Sequence, residues 1–162
     1  MHFSEPVTTL TDYLLGTVGL LFAVLLFRSR PQKRISTRLW SFGFFASAVA
    51  AFVGGTYHAL KFDVDASVLR SLWSVTICSI GACGAFMVSG VLISSIRRTD
   101  ESRAWLRGGL LLTLAGVVVQ QTGFRSDLDF NHNDIYHIMQ TVALYLFFRG
   151  ARLLEDGPRR EF

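Results

Sequence analysis

The residues with the most chemical potential in this sequence are Asp12, His58, Gln120, Gln121, Asn133, Asp134 and His137. Around them stand His132, Asp63, Asp65, Asp127 and Asp129. Histidines beside carboxylates suit a divalent metal. Imidazole nitrogen and carboxylate oxygen are the usual non-thiol ligands of zinc, and three of them leave a position for water. Such a water loses its proton near neutral pH and becomes a nucleophile. The expected metal ligands are His58 and His137, completed by a carboxylate such as Asp65, or by His132. Asp12 and Asp134 are then the candidates for general base.

These groups must be held by apolar elements. The chain is 51% hydrophobic and 17% charged, with a mean hydropathy of +0.39. A soluble domain usually carries about a quarter charged residues. Composition and periodicity argue against a soluble enzyme, a disordered tail and a disulfide-stapled secreted module. Five apolar stretches can be drawn, over residues 8–27, 39–60, 67–96, 105–123 and 131–148. Each approaches or exceeds the roughly 20 residues needed to cross a bilayer. A backbone in lipid must satisfy its own hydrogen bonds, so each is expected to be a helix. The expected fold is all-α: one domain over residues 1–162, a polytopic up-and-down bundle of five transmembrane helices. The third stretch is long, and tilt, projection or a kink near Gly81 and Gly84 would accommodate it.

Charge sets an expected orientation. Arg28, Arg30, Lys33, Arg34 and Arg38 follow the first stretch, Arg97, Arg98, Arg103 and Arg107 flank the fourth, and Arg149, Arg152, Arg159 and Arg160 end the chain. With five spans these clusters share one side, and the positive-inside rule makes that side cytoplasmic. The N-terminus is then outside and the C-terminus inside. Acids precede the first stretch and arginines follow it, the reverse of a signal peptide, so it is expected to remain in the mature chain. Multi-pass integral membrane location follows, in the plasma (inner) membrane if the host is bacterial.

Smaller features fit this frame. Cys78 and Cys83 lie in one stretch and face different directions, so buried, unbridged thiols are expected. Gly81, Ala85 and Ser89 form a row of small residues suited to helix packing inside a bundle. Trp40, Trp105, Tyr13 and Trp73 suit interfacial belts.

Depth can be counted at 1.5 Å per residue from the arginines. His137 lies about 18 Å above Arg149, Asn133 about 24 Å above it, and Asp12 about 24 Å above Arg28. Gln120 and Gln121 lie about 20 Å above Arg107, and His58 about 30 Å above Arg38. All fall in the outer part of a hydrocarbon core about 30 Å thick. The last stretch spans only by drawing Asn133, Asp134 and His137 inward. Asn133, His137 and Gln140 share a face that lipid disfavours, so that face is expected to point into the bundle. The plainer readings are that His58 sits at the interface bonded to a loop, that His132, Asn133 or Asp134 caps the last helix, and that Asp12 bonds to Thr8 or Thr9.

The first of these motifs reads Gly54-Gly55-Thr56-Tyr57-His58, with Asp63 and Asp65 following. The last reads Asn131-His132-Asn133-Asp134-Ile135-Tyr136-His137. This pattern resembles the CREST superfamily of alkaline ceramidases, progestin and adiponectin receptor-like proteins and GPI-remodelling lipid hydrolases. Their signature is a serine four residues before a histidine, a later aspartate, and an H-x-x-x-H pair on the last of seven helices. Here His58 matches the first histidine and His137 the last. Gly54 stands at the serine, Asn133 at the first histidine of the pair, and His132 one residue early, where a local bulge would be needed. The resemblance implies zinc and hydrolysis of a lipid amide or ester.

Three readings therefore stand. The first is a zinc-dependent lipid hydrolase open to the outer face. The second is a non-enzymatic protein whose polar layer binds a ligand, ion or proton, or locks helices together, in a scaffold or an oligomeric channel. Histidine titrates near physiological pH, which suits a proton-responsive element. The third places haem between His58 and His137. No nucleotide-binding glycine motif, H-E-x-x-H or basic-aromatic stripe occurs, so no nucleic-acid partner is expected. The expected partner is the bilayer itself, with a lipid as the candidate substrate.

Overall fold

A computed structural model of the chain describes residues 5–29, 34–94, 100–123 and 131–154. It is all-helical: α1 (Pro6–Arg28), α2 (Ile35–Leu60), α3 (Ala66–Ile93), α4 (Asp100–Thr122) and α5 (His132–Arg152). Helices α1 to α4 are long and apolar enough to cross a membrane. Pro6 opens α1, where a missing N–H costs no helical bond. Asn131 caps α5: its side chain accepts from Asn133 N at 2.8 Å, and Asn131 N donates to Asp134 Oδ2 at 2.7 Å. α4 begins five residues before its apolar run because Asp100 and Glu101 favour a helix N-terminus. α3 is one continuous helix through Gly81 and Gly84.

The spatial order differs from chain order. Among the described residues, α3 packs only on α2, α2 on α1, α1 on α5, and α5 on α4, with a minor contact between α2 and α5. The row therefore reads α3–α2–α1–α5–α4, and the consecutive helices α3 and α4 do not touch. The up-and-down array expected from the sequence thus has one gap between consecutive helices, at α3 and α4.

α3 shows why. Only Thr76 and Gly90 are buried along its length. Val75, Ile77, Ile80, Val88 and Leu92 are exposed. Water would not tolerate that much uncovered apolar surface on a monomer, whereas lipid does. Nothing lies within 4 Å of a Cβ built at Gly81, and Gly81 and Ala85 of the small-residue row are exposed, with only Ser89 half-buried. Cys78 is exposed and Cys83 half-buried, both free. The expectation of no bridge holds. That of a buried Cys78 does not, because α3 has a single neighbour.

The core lies toward the arginine-bearing ends. Phe22 stacks on Phe148 at 4.4 Å and meets Phe44 edge-on at 5.8 Å, joining α1, α5 and α2. Aromatic pairs of this kind add about 0.5–1.5 kcal/mol beyond their burial. Helix ends are tied there too. Ser41 donates to Ala23 O at 2.8 Å, Arg34 to Leu154 O at 2.7 Å, and Ser102 to Gly150 O at 3.1 Å. Arg149 lies over the Trp105 ring at 4.8 Å. The arginine-rich ends of α2, α4 and α5 thus come together. The opposite end of the bundle gathers the polar residues.

Candidate functional site

α1 supplies the centre of the polar layer. Thr8, Thr9 and Asp12 are buried, and Asp12 is only 4% exposed. Glycine lets α2 come close. A Cβ at Gly55 would lie 2.7 Å from the Tyr13 ring and 3.0 Å from Asp12 Cβ. A Cβ at Gly54 would meet Thr76 Cγ2 at 3.6 Å and Asp12 Oδ2 at 3.7 Å, ordinary contacts. A serine at Gly54, the residue of the resembled families, would thus fit with its hydroxyl beside Asp12.

Three linked groups form the layer. In the first, His137 Nε2 lies 3.3 Å from Asp12 Oδ1. His137 Nδ1 lies 3.1 Å from Thr11 Oγ1. The Thr11 hydroxyl donates its proton to Thr8 O at 3.0 Å, which leaves a lone pair facing the ring. We assign the ring proton to Nδ1, the tautomer in which Thr11 donates to Thr8 O and accepts from the ring. Nε2 then meets Asp12 through a proton held by one of the two.

In the second group, Asp134 is fully buried and accepts from Thr8 Oγ1 at 2.7 Å and from Asn131 N at 2.7 Å. Asn131 Nδ2 donates to Thr8 Oγ1 at 3.3 Å. In the third, at the outer rim, Glu5 bridges His58 Nδ1 and Lys61 Nζ, the latter at 3.0 Å. Burial alone would raise the Glu5 carboxyl. The Lys61 hydrogen bond and the His58 charge outweigh it and hold Glu5 below its ordinary value.

The predicted residues divide accordingly. Asp12, Asp134 and His137 come together between α1 and α5. His58 faces Glu5 at the rim of the same layer. Asp65 is exposed at the start of α3 and touches neither histidine. His132 is the first residue of α5, with no bulge, and its Nδ1 is buried without a partner among the described residues. The expected zinc set of His58, His132, His137 and Asp65 is thus not assembled. Among the described residues no three His, Cys, Asp or Glu side chains converge to hold a metal. Asp12 and Thr11 instead contact the ring nitrogens of His137, and Glu5 contacts Nδ1 of His58.

The shared polar face is corrected in detail. Asn133 and Gln140 turn toward α4, where Gln140 exchanges hydrogen bonds with Thr113 at 3.3 Å. Gln120 reaches Asn133 at 3.5 Å. Asp134 and His137 turn toward α1. Asp127 and Asp129 lie outside the described residues. Sequence reasoning missed Glu5, Thr11 and Asn131 as partners. The rim position of Glu5 was the available signal, since it stands seven residues, about 10 Å, above Asp12 and so level with His58.

A family model matches the chain over residues 7–96 and 86–156. The chain belongs to DUF6962, a family of unknown function. The matched residues include Asp12, His58, Asp65, His132, Asp134 and His137, while Glu5 lies outside them. No curated protein and no solved structure matches this DUF6962 member.

Proposed function

We propose that this is a five-span integral membrane protein whose outer α1–α5 seam responds to protons, with the Asp12–His137 pair as the sensing element. The observation that carries the reading is the buried 3.3 Å contact between His137 Nε2 and Asp12 Oδ1, with Thr11 beside Nδ1. With Nδ1 committed to Thr11, one proton between Nε2 and Asp12 gives a neutral pair. Removing it sets a carboxylate against a bare ring nitrogen. Adding a second leaves a buried cation, which lipid and apolar protein disfavour. Either change weakens the seam and biases a two-state contact between α1 and α5. Other titratable groups act on the pair electrostatically: Asp134 and Tyr136 from α5, and His58 from α2.

The membrane reading includes α5. Its 21 residues extend about 31 Å, enough for the hydrocarbon core. Its polar residues lower its hydropathy, yet Asp134 and His137 are turned inward. With five spans, the clustered arginines lie in the cytoplasm and the Asp12–His137 layer in the outer third.

Hydrogen exchange in liposomes tests the sensing role. The outer turns of α1 and α5 should exchange faster on one side of a pH step, and Asp12→Asn should abolish the step. Identical pH profiles for parent and variant would contradict the reading.

A second reading is a zinc-dependent hydrolase of lipid amides or esters, as the CREST resemblance implies. The orphaned His132 Nδ1 and the room for a serine hydroxyl at Gly54 favour it. The described side chains do not fit zinc as they stand, because carboxylates already occupy His58 and His137. Elemental analysis of protein purified without chelator separates the readings. Stoichiometric zinc, lost in His58→Ala and His137→Ala, would favour the hydrolase.

A further inference from the structure

The gap between α3 and α4 is a groove of about 710 Å³. Its lining residues come from the arginine-bearing half of the bundle. Trp40 and Phe147, with rings 5.6 Å apart, belong to α2 and α5. Met87 and Val91 line it from α3, and Leu106 from α4. At the inner end stand Arg103 and Arg107, one helical turn apart and both exposed. The volume falls within the roughly 300–1,000 Å³ typical of small-molecule sites.

We infer that this groove binds a single anionic phospholipid of the leaflet at the arginine end, with an acyl chain between α3 and α4 and the phosphate on Arg103 and Arg107. Two observations carry the assignment. The groove is apolar along its length and cationic at one end, the polarity of an anionic amphiphile. The ion pair recorded for Arg103 is a 3.6 Å contact with the fully exposed Asp100, which competes weakly with a phosphate.

A second copy of the chain suits the groove less well. Among the described residues, the acids at this end are Asp100 and Glu101, on the arginines' own helix. A copy's spanning helix would fill the apolar part and leave the cationic end without an anion.

The test is native mass spectrometry of the full chain with added phosphatidylglycerol or phosphatidylcholine. One phosphatidylglycerol should be retained about tenfold more than phosphatidylcholine. The Arg103→Gln/Arg107→Gln double variant should lose that preference. Gly84→Phe should lose the bound lipid itself, since nothing lies within 4 Å of its Cβ and the new ring can enter the groove without displacing a neighbour. Circular dichroism checks that both variants keep parental helicity; if Gly84→Phe does not, Val88→Trp, at an exposed lining residue, replaces it and should likewise lose the bound lipid. Equal retention of the two lipids, or retention unchanged in the folded variants, would overturn the assignment. So would a dimer that Gly84→Phe dissolves, which would make the groove a helix-docking face.

Discussion

His137 Nε2 stands 3.3 Å from Asp12 Oδ1, joining the last helix to the first across a sequence separation that no local pattern reveals. Counting at 1.5 Å per residue put the two groups about 6 Å apart in depth. The contact removes that offset, because side chains reach along the helix and helices tilt. The pair sits beside a second buried carboxylate, Asp134, which is satisfied separately by Thr8 and Asn131.

The two members of the pair should be energetically coupled. Asp12→Leu or His137→Leu alone leaves the other polar group buried and unpaired, a loss of about 1–3 kcal/mol. The double variant should lose clearly less than the sum, since an apolar pair has no such penalty. Thermal unfolding in one detergent gives all values. Additive losses would mean that the residues do not interact.

The rim clasp should depend on pH in a defined direction. Glu5 is held below its ordinary value in the folded protein, so its contribution is present above the unfolded value and fades as pH falls through the folded one. Glu5→Gln should therefore be less stable than the parent at about pH 6, with the gap closing below about pH 4. Melting temperatures across that range check the sign. A gap that widens on acidification would show that Glu5 is not paired with Lys61 and His58.

The five helices, four of them long and apolar enough to cross a membrane, were legible because lipid permits few alternatives to an apolar helix. The gathering of the polar layer at the end of the bundle opposite the arginines was legible as well, because arginines mark one end. Rotation of each helix about its axis was not. α1 and α3 are apolar on nearly every side, so no stripe shows which face meets a partner, and Thr11 as the partner of His137 was invisible. The separation of α3 from α4 was hidden for the same reason: consecutive helices ordinarily pack, and Gly81, Ala85 and Ser89 looked like a packing row. Asn131 was legible in principle, since an asparagine three residues before Asp134 is a capping signature.

Topology is open to direct labelling. In intact cells, single cysteines at Asp63→Cys and Asp129→Cys, in a background lacking Cys78 and Cys83, should react with a membrane-impermeant maleimide. One at Glu155→Cys should react only after lysis. Reaction of Asp129→Cys only after lysis would place that loop in the cytoplasm and contradict the proposed orientation.

The most direct measurement is nitrogen NMR of the His137 ring in protein reconstituted in lipid, followed across pH in the parent and in Asp12→Asn. The account predicts that Nδ1 stays protonated throughout, that Nε2 changes state with pH, and that Asp12→Asn displaces or removes the change. A bare Nδ1, or a ring that ignores both pH and the loss of the Asp12 carboxylate, would contradict it.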